Sequence, residues 1–170
     1  MKSHIFLTAA LLLMSVQIFA QTPVYLTKAY KPVESDRYTA YSSLEIQGGD
    51  TWNNCFTLGV INNYHGYATF NIGGKYESIS FILGAEKSNG GNDPNIVQIH
   101  ADGRRIFDHV LRDGDLGQHF TLNISGVDKL EFSLVKPEVE AAFCEVALWT
   151  KGYRRPPQSR RRGALRSPRS

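Results

Sequence analysis

Hydrophobic and polar residues alternate with a period of two through much of this chain. Ile79, Phe81 and Leu83 are interleaved with Ser78, Ser80 and Ile82; Phe120, Leu122 and Ile124 with Thr121 and Asn123; Leu130, Phe132 and Leu134 with Glu131 and Ser133. Such a pattern sends one row of side chains into a core and the next to the other face, as in a half-buried β-strand. It predicts strands near 24–28, 42–47, 52–59, 66–72, 76–84, 96–101, 104–110, 118–124, 128–135 and 142–150. Within 52–59, Trp52, Phe56 and Leu58 are expected on one face. No helical periodicity persists beyond two turns.

Turn chemistry sets how these strands connect. The stretches Ala68–Leu83, Ile96–Phe107 and His119–Val135 each read as strand, tight turn, strand. Asp102-Gly103 suits a two-residue type I′ turn, which requires positive φ at both central positions. Gly73-Gly74 and Ser125-Gly126 supply similar freedom. The expectation is an all-β fold, an antiparallel β-sandwich of two packed sheets. If successive strands run antiparallel, the tight turns at 73–75, 102–103 and 125–127 share one end, and Trp52 starts there. The longer loops at 60–65, 85–95, 111–117 and 136–141 then share the other end. Clustered polar loops on a rigid sandwich are the natural place for binding residues.

The ends differ from this middle. Lys2, the apolar run Ile5–Met14 with Val16–Phe19, and Ala20 have the layout of a secretory signal over residues 1–20. The run is too short and too interrupted for a membrane span, so the domain, 21–152, is expected to be secreted, periplasmic or at the cell surface. Residues 153–170 are rich in Arg, Pro and Ser and read as a disordered basic tail. The net charge of +3 belongs to that tail. Between Gln21 and Thr150 there are ten Lys or Arg against sixteen Asp or Glu, a net of −6. An acidic domain is a poor partner for nucleic acid, whose phosphates are bound chiefly by Lys and Arg.

Export makes a disulfide between Cys55 and Cys144 chemically sustainable. Alternation puts Cys55 on the face opposite Phe56 and Leu58, but puts Cys144 inward with Val146 and Leu148. A bond therefore requires a bulge or a last strand covered on both sides, and the bonded and free states both stand open.

The long-loop end carries the best candidate site. Tyr64, His65 and Tyr67 beside Asn62 and Asn63 combine aromatic rings for the apolar face of a sugar with planar polar groups for its hydroxyls. Asn92, Asp93 and Arg112 share that end. Trp52 and Trp149 lie on strands and read as core or sheet-covering residues. No cofactor is demanded by any motif. Asp50 and Glu145 are the carboxylates a structural calcium would use, with loop carbonyls completing six to eight oxygens, but no dense D-x-D-x-D-G loop is present and exposed carboxylates account for both. His100 and Asp102 flank a turn that itself explains the Asp, and Asp108 and His109 point to opposite faces. Asp113 and Asp115 are the nearest approach to paired glycosidase carboxylates. No G-x-S-x-G, H-E-x-x-H, Walker or zinc-spaced motif occurs. An enzyme is not expected.

Several short segments, in order, resemble the NPCBM family of carbohydrate-binding modules, which are galactose-binding-like jelly rolls. They are Val24–Thr27, Asn54–Leu58, Phe70–Tyr76 with Ile79, Phe81 and Gly84, Asp102-Gly103 with Ile106-Phe107, and Ile124–Val127 with Leu130. The resemblance spans about Pro23 to Lys151. It implies a jelly-roll β-sandwich and a glycan partner, galactose-type sugars among the choices, in a non-catalytic module. Some sugar-associated relatives have a His where this chain has Asn63, and His65 is offset from that position, so no role transfers to it. The rival expectation is a structural or adhesion module binding a protein partner at the cell surface; a glycan hydrolase ranks behind both.

Overall fold

The computed structural model describes residues 22–61, 64–86, 94–135 and 140–152, with the expected signal and basic tail outside the described residues. Two antiparallel sheets face each other. The first has the order β11 (Gln118–Asn123), β8 (Ser78–Ala85), β13 (Ala141–Trp149), β4 (Thr51–Leu58), β3 (Tyr38–Glu45), with β1 (Val24–Tyr25) paired to β13. The second runs β10 (Arg104–Leu111), β9 (Asn95–Ala101), β12 (Lys129–Val135), β7 (Tyr67–Asn71), β2 (Glu34–Asp36). A small hairpin of β5 (Val60–Ile61) and β6 (Tyr64–His65) and one helical turn, α1 (Leu26–Ala29), complete the described elements.

The alternation seen in sequence builds the core between the sheets. Phe56 and Phe143 of the first sheet stack at 4.8 Å, and Phe132 of the second meets each edge-on at 5.2 Å. Offset and edge-to-face rings of this kind add to the gain from burial. Ile79, Phe81 and Leu83, and Leu130, Phe132 and Leu134, all lie in this core.

The three tight turns do meet at one end. Asp102 and Gly103 have φ of 50° and 79°, as a type I′ turn requires. The Asp102 carboxylate accepts the Lys129 N–H at 2.8 Å and the Asp128 N–H at 3.2 Å. Gly74 N–H donates to the Val127 carbonyl at 2.9 Å.

The outer face of the first sheet departs from the simple sandwich. β4 pairs with β13 only as far as Phe56 opposite Phe143. In the next position Cys55 and Cys144 are joined by a disulfide. One step further, Asn54 and Glu145 take positive φ of 53° and 48°. β13 shifts register against β8 at this point, so Glu145 sits in a β-bulge. β4 lifts off the sheet, and β1 pairs with Ala147 and Leu148 of β13 instead. The β3–β4 hairpin then folds back as a flap over the outer face. Gln47 N–H donates to the Ala85 carbonyl at 3.0 Å, and Ile46 bridges Glu86. Ile46 Cδ1 sits in a notch where a Cβ on Gly84 or Gly117 would approach it to 2.8 or 2.6 Å. A second small core forms under the flap from Ile46, Cys55, Ile82, Ala142 and Cys144, with Tyr41, Leu44 and Trp52 packed against it.

This fold-back corrects several expectations. Trp52 does not share a face with Phe56 and Leu58, because the bend at Asn54 inverts the alternation. Nor is it at the tight-turn end, since its Nε1 lies 3.7 Å from the Cβ position of Gly117. Cys144 is not inward with Val146 and Leu148; the bulge at Glu145 leaves it under the flap and turns those two into the main core. The strand expected over 24–28 ends at Tyr25, and Leu26, fully buried, opens the helical turn. β2 has three exposed residues and no apolar pattern, so only its pairing with β7 identifies it.

Candidate functional site

The loop end opposite the tight turns is organised by two glycines. The hairpin of β5 and β6 pairs Val60 with His65 and Ile61 with Tyr64. Asn62 and Asn63, between them in sequence, lie outside the described residues. At its base the two stems cross so closely that a Cβ on Gly66 would stand 2.7 Å from the Gly59 carbonyl oxygen and 3.3 Å from the Leu58 carbonyl carbon. Gly59 N–H donates to the Arg37 carbonyl at 2.9 Å, and Leu134 N–H to the Gly66 carbonyl at 3.0 Å. The backbone carrying Tyr64 and His65 is thereby tied to both sheets.

Beside this crossing lie two carboxyl groups. Glu86 follows β8, Glu140 precedes β13, and Glu86 N–H donates to the Glu140 carbonyl at 3.1 Å. A Cβ on Gly59 would stand 3.4 Å from Glu140 Oε1. Burial first, then the Glu140 charge and a side-chain hydrogen bond between the two, push the Glu86 carboxyl up to about 7. The Glu86 carboxyl is thus coupled to its neighbour and held in its neutral form to higher pH than an isolated glutamate.

The sign of its effect on stability follows from linkage. Unfolded, Glu86 releases its proton near its ordinary value of 4.5; folded, it keeps it to about 7. Between these values the native state binds more protons, so this group's contribution falls as pH rises through that window and levels off above it. Glu86→Gln should remove that slope. Melting temperatures of the two proteins from pH 4.5 to 8 should therefore diverge as pH rises, and parallel curves would show that the pair does not couple to folding.

The structure distributes the expected site residues over two flanks. Tyr67 is half-buried on the outer face of the second sheet, opposite Asp36 of β2 and Ser133 of β12. Arg112 is exposed in a turn where its N–H donates to Asp115 Oδ2 at 2.8 Å and its carbonyl accepts the Asp115 N–H at 3.1 Å. It follows β10, three strands from β7 and so about 14 Å away at the usual strand spacing. Arg112 and Tyr67 share an end but are not side by side. Asn92 and Asp93 lie outside the described residues. Asp50 is at the flap's tip, where its carbonyl accepts the Ile46 N–H at 3.1 Å, whereas Glu145 is in the bulge at the flap's base. Among the described residues no group of three His, Cys, Asp or Glu side chains forms a metal cluster.

The His and Asp residues that stand close in sequence are engaged separately. The Asp102 carboxylate is held by backbone N–H groups, and His100 faces Glu131 at 3.8 Å. His109 packs against Phe120 at 5.1 Å and Phe107 at 6.0 Å. Its pKa is lowered by burial, with Asp115 opposing and Arg112 reinforcing the shift. Three residues of the loop end are not singled out by the sequence pattern: Arg37, Glu86 and Glu140. A signal for Glu86 is present, since it ends the buried run Ile79–Ala85 with a carboxylate. None marks its pairing with Glu140, far along the chain.

The sequence matches the family model described as NPCBM/NEW2 domain over residues 15–151. No curated protein matches it. The fold is similar to CBM51 from Clostridium perfringens GH95, solved in complex with methyl-galactose, with TM-score 0.59 and 13% identity over 75% of this chain and 99% of that one. It is similar to the tandem CBM51 modules of Sp3GH98, a family 98 glycoside hydrolase from Streptococcus pneumoniae, with TM-score 0.62 and 11% identity over 79% of this chain and 49% of that one. It is also similar to CBM51-2 with the INT domains of Clostridium perfringens ZmpB, solved in complex with GlcNAc, with TM-score 0.59 and 10% identity over 78% of this chain and 32% of that one. At these identities the likeness is one of fold.

Proposed function

The chain belongs to the NPCBM/NEW2 domain family, and from that premise we propose that it is an exported, non-catalytic module that takes a glycan at its long-loop end. The family match over residues 15–151, nearly the whole domain, carries this reading. The candidate site supports it. Sugar recognition needs a largely preformed surface with an apolar platform and a few fixed polar groups. The glycine crossing fixes the backbone of Tyr64 and His65, Tyr67 begins the strand that follows, and the proposal adds Asn62 and Asn63 as their neighbours in sequence. In this reading the aromatic residues supply the platform and the asparagines meet the hydroxyls. Arg112 borders the same end, and the proposal adds Asn92 and Asp93 on the strength of their place in the sequence. Recognition is by shape and hydrogen bonding, with weak affinity per module.

Residues 1–20 supply the export signal in this proposal. Among the described residues no helix is long and apolar enough to cross a membrane. Methyl-galactose and GlcNAc, the sugars held by two of the similar modules, are the first probes. The test is a glycan-array screen of the purified protein, with and without calcium, followed by competition with those sugars. Saturable, competable binding that is clearly weakened in the Asn63→Ala/Tyr64→Ala double variant is the expected result. A blank array from folded protein would overturn the proposal and favour a module that binds a protein partner. A melting temperature unmoved by chelator would reject structural calcium at Asp50 and Glu145.

A further inference from the structure

The flap covers only the half of the outer face nearest the long loops. On the other half, near the tight turns, side chains alternate outward from β13, β8 and β11. Val146 and Leu148 are in the main core, so Ala147 and Trp149 face out. Ala147 pairs with Ser80 and Trp149 with Ser78. Yet the Trp149 indole N–H donates to the Ser80 hydroxyl at 2.8 Å. This is the diagonal neighbour, whose Cα is about 7–8 Å distant, so the ring must lie down across the sheet. It accounts for the burial of small residues on an outward face, Ala147 being 4% exposed and Ser80 9%. Tyr25, opposite Ala147 on β1, flanks the same spot and remains partly exposed, as does Trp149 itself.

A strip of uncharged polar groups runs away from the indole across the neighbouring strands. Ser78 and Thr121 present hydroxyls, and exposed Asn123 lies opposite Ser78. The Asn123 side-chain oxygen accepts the Ser125 N–H at 2.9 Å, which fixes the amide and leaves its NH2 group to donate outward. At the spacing of adjacent strands, these groups stand about 5 and 10 Å from the β13 backbone, within reach of one or two sugar rings. An aromatic plane held by its own hydrogen bond, next to the neutral hydroxyls and amide of Ser78, Thr121 and Asn123, suits the apolar face and hydroxyls of a pyranose, with the Lys28 ammonium 5.6 Å from the Tyr25 ring as the nearby charge on the β1 side.

We infer that the outer face of the first sheet, at Trp149, is a second glycan-binding site, separate from the long-loop end. The inference rests on the reading of the protein as a glycan-binding module, and its test separates the two. The chain has two tryptophans, so Trp52→Phe leaves Trp149 as the sole indole reporter. Titration of this full-length variant with methyl-galactose, GlcNAc and any array-positive glycan should give a saturable change in its emission. The change should persist when Asn63→Ala/Tyr64→Ala is added. Trp149→Ala should weaken array binding at least tenfold, and Ser78→Ala/Thr121→Ala, which alters only surface hydroxyls, should weaken it several-fold with an unchanged melting temperature. Array binding with a silent Trp149 and full affinity in both sets of variants would overturn the second site and leave the loop-end reading intact. Loss of the Trp149 response in the loop-end variant would also overturn it. An array blank would overturn both.

Discussion

Replacing Cys55 and Cys144 together by alanine should lower the melting temperature by on the order of 10–15 °C. The two residues are 89 apart in sequence, and constraining an unfolded loop of that length is worth about 4–5 kcal/mol in the chain-entropy account. That is a large share of the roughly 5–15 kcal/mol by which a domain of this kind is stable. The position of the bond adds a local effect. It sits where β4 leaves β13, at the base of the flap, so without it only packing and the contacts of the flap's tip hold the small outer core closed. Trp52 lies against that core, and its emission should shift to the red at temperatures below the main transition. Both cysteines are fully buried, so reductant should act slowly on the folded protein and quickly in denaturant. A variant that melts within a degree or two of the wild type would show that the bond constrains little.

Gly66→Ala should markedly weaken glycan retention while destabilising the domain by about 1–3 kcal/mol, the usual cost of forcing atoms into a packed space. The new methyl would meet the Gly59 oxygen at 2.7 Å, the Gly59 nitrogen at 3.2 Å and the Leu58 carbonyl carbon at 3.3 Å. All three are backbone atoms, so no side chain can swing aside and the crossing itself must open. Opening it moves the hairpin that bears Tyr64 and His65, while the phenylalanine core lies on other strands. Calorimetry and the glycan array together check this. Gly66→Ala that binds as the wild type does would mean that the hairpin's position is not what holds the site.

Several features of the molecule were legible without the structure. The period-two rows predicted the strands β8, β11 and β12, because a strand with one face in a core carries its burial in its own sequence. Asp102-Gly103 and its glycine-rich counterparts located the tight turns, because positive φ is costly for most side chains. Counting turns then assembled three of them at one end. The segments resembling the NPCBM family led to the family itself. β2 could not be read, since Glu34, Ser35 and Asp36 have no apolar row and are a strand only through β7.

The site was half legible for the same reason. Tyr64, His65 and Tyr67 announced the loop, but the crossing of Gly59 over Gly66 and the carboxyl pair of Glu86 and Glu140 depend on segments brought together from different strands. The flap shows the limit most clearly. Asn54 tolerates positive φ but stands inside a strand, and Glu145 is no turn signal at all, yet their positive φ values reverse the alternation, move Trp52 to the opposite end and bring Cys144 beneath a second layer. Periodicity, turn positions and family could be read along the chain, since each is written in residues close together in sequence. The flap, the half-buried carboxyl pair and the outward-lying Trp149 were set by the tertiary structure, because each arises where one strand leaves or crosses another, and the energy of that choice belongs to both strands.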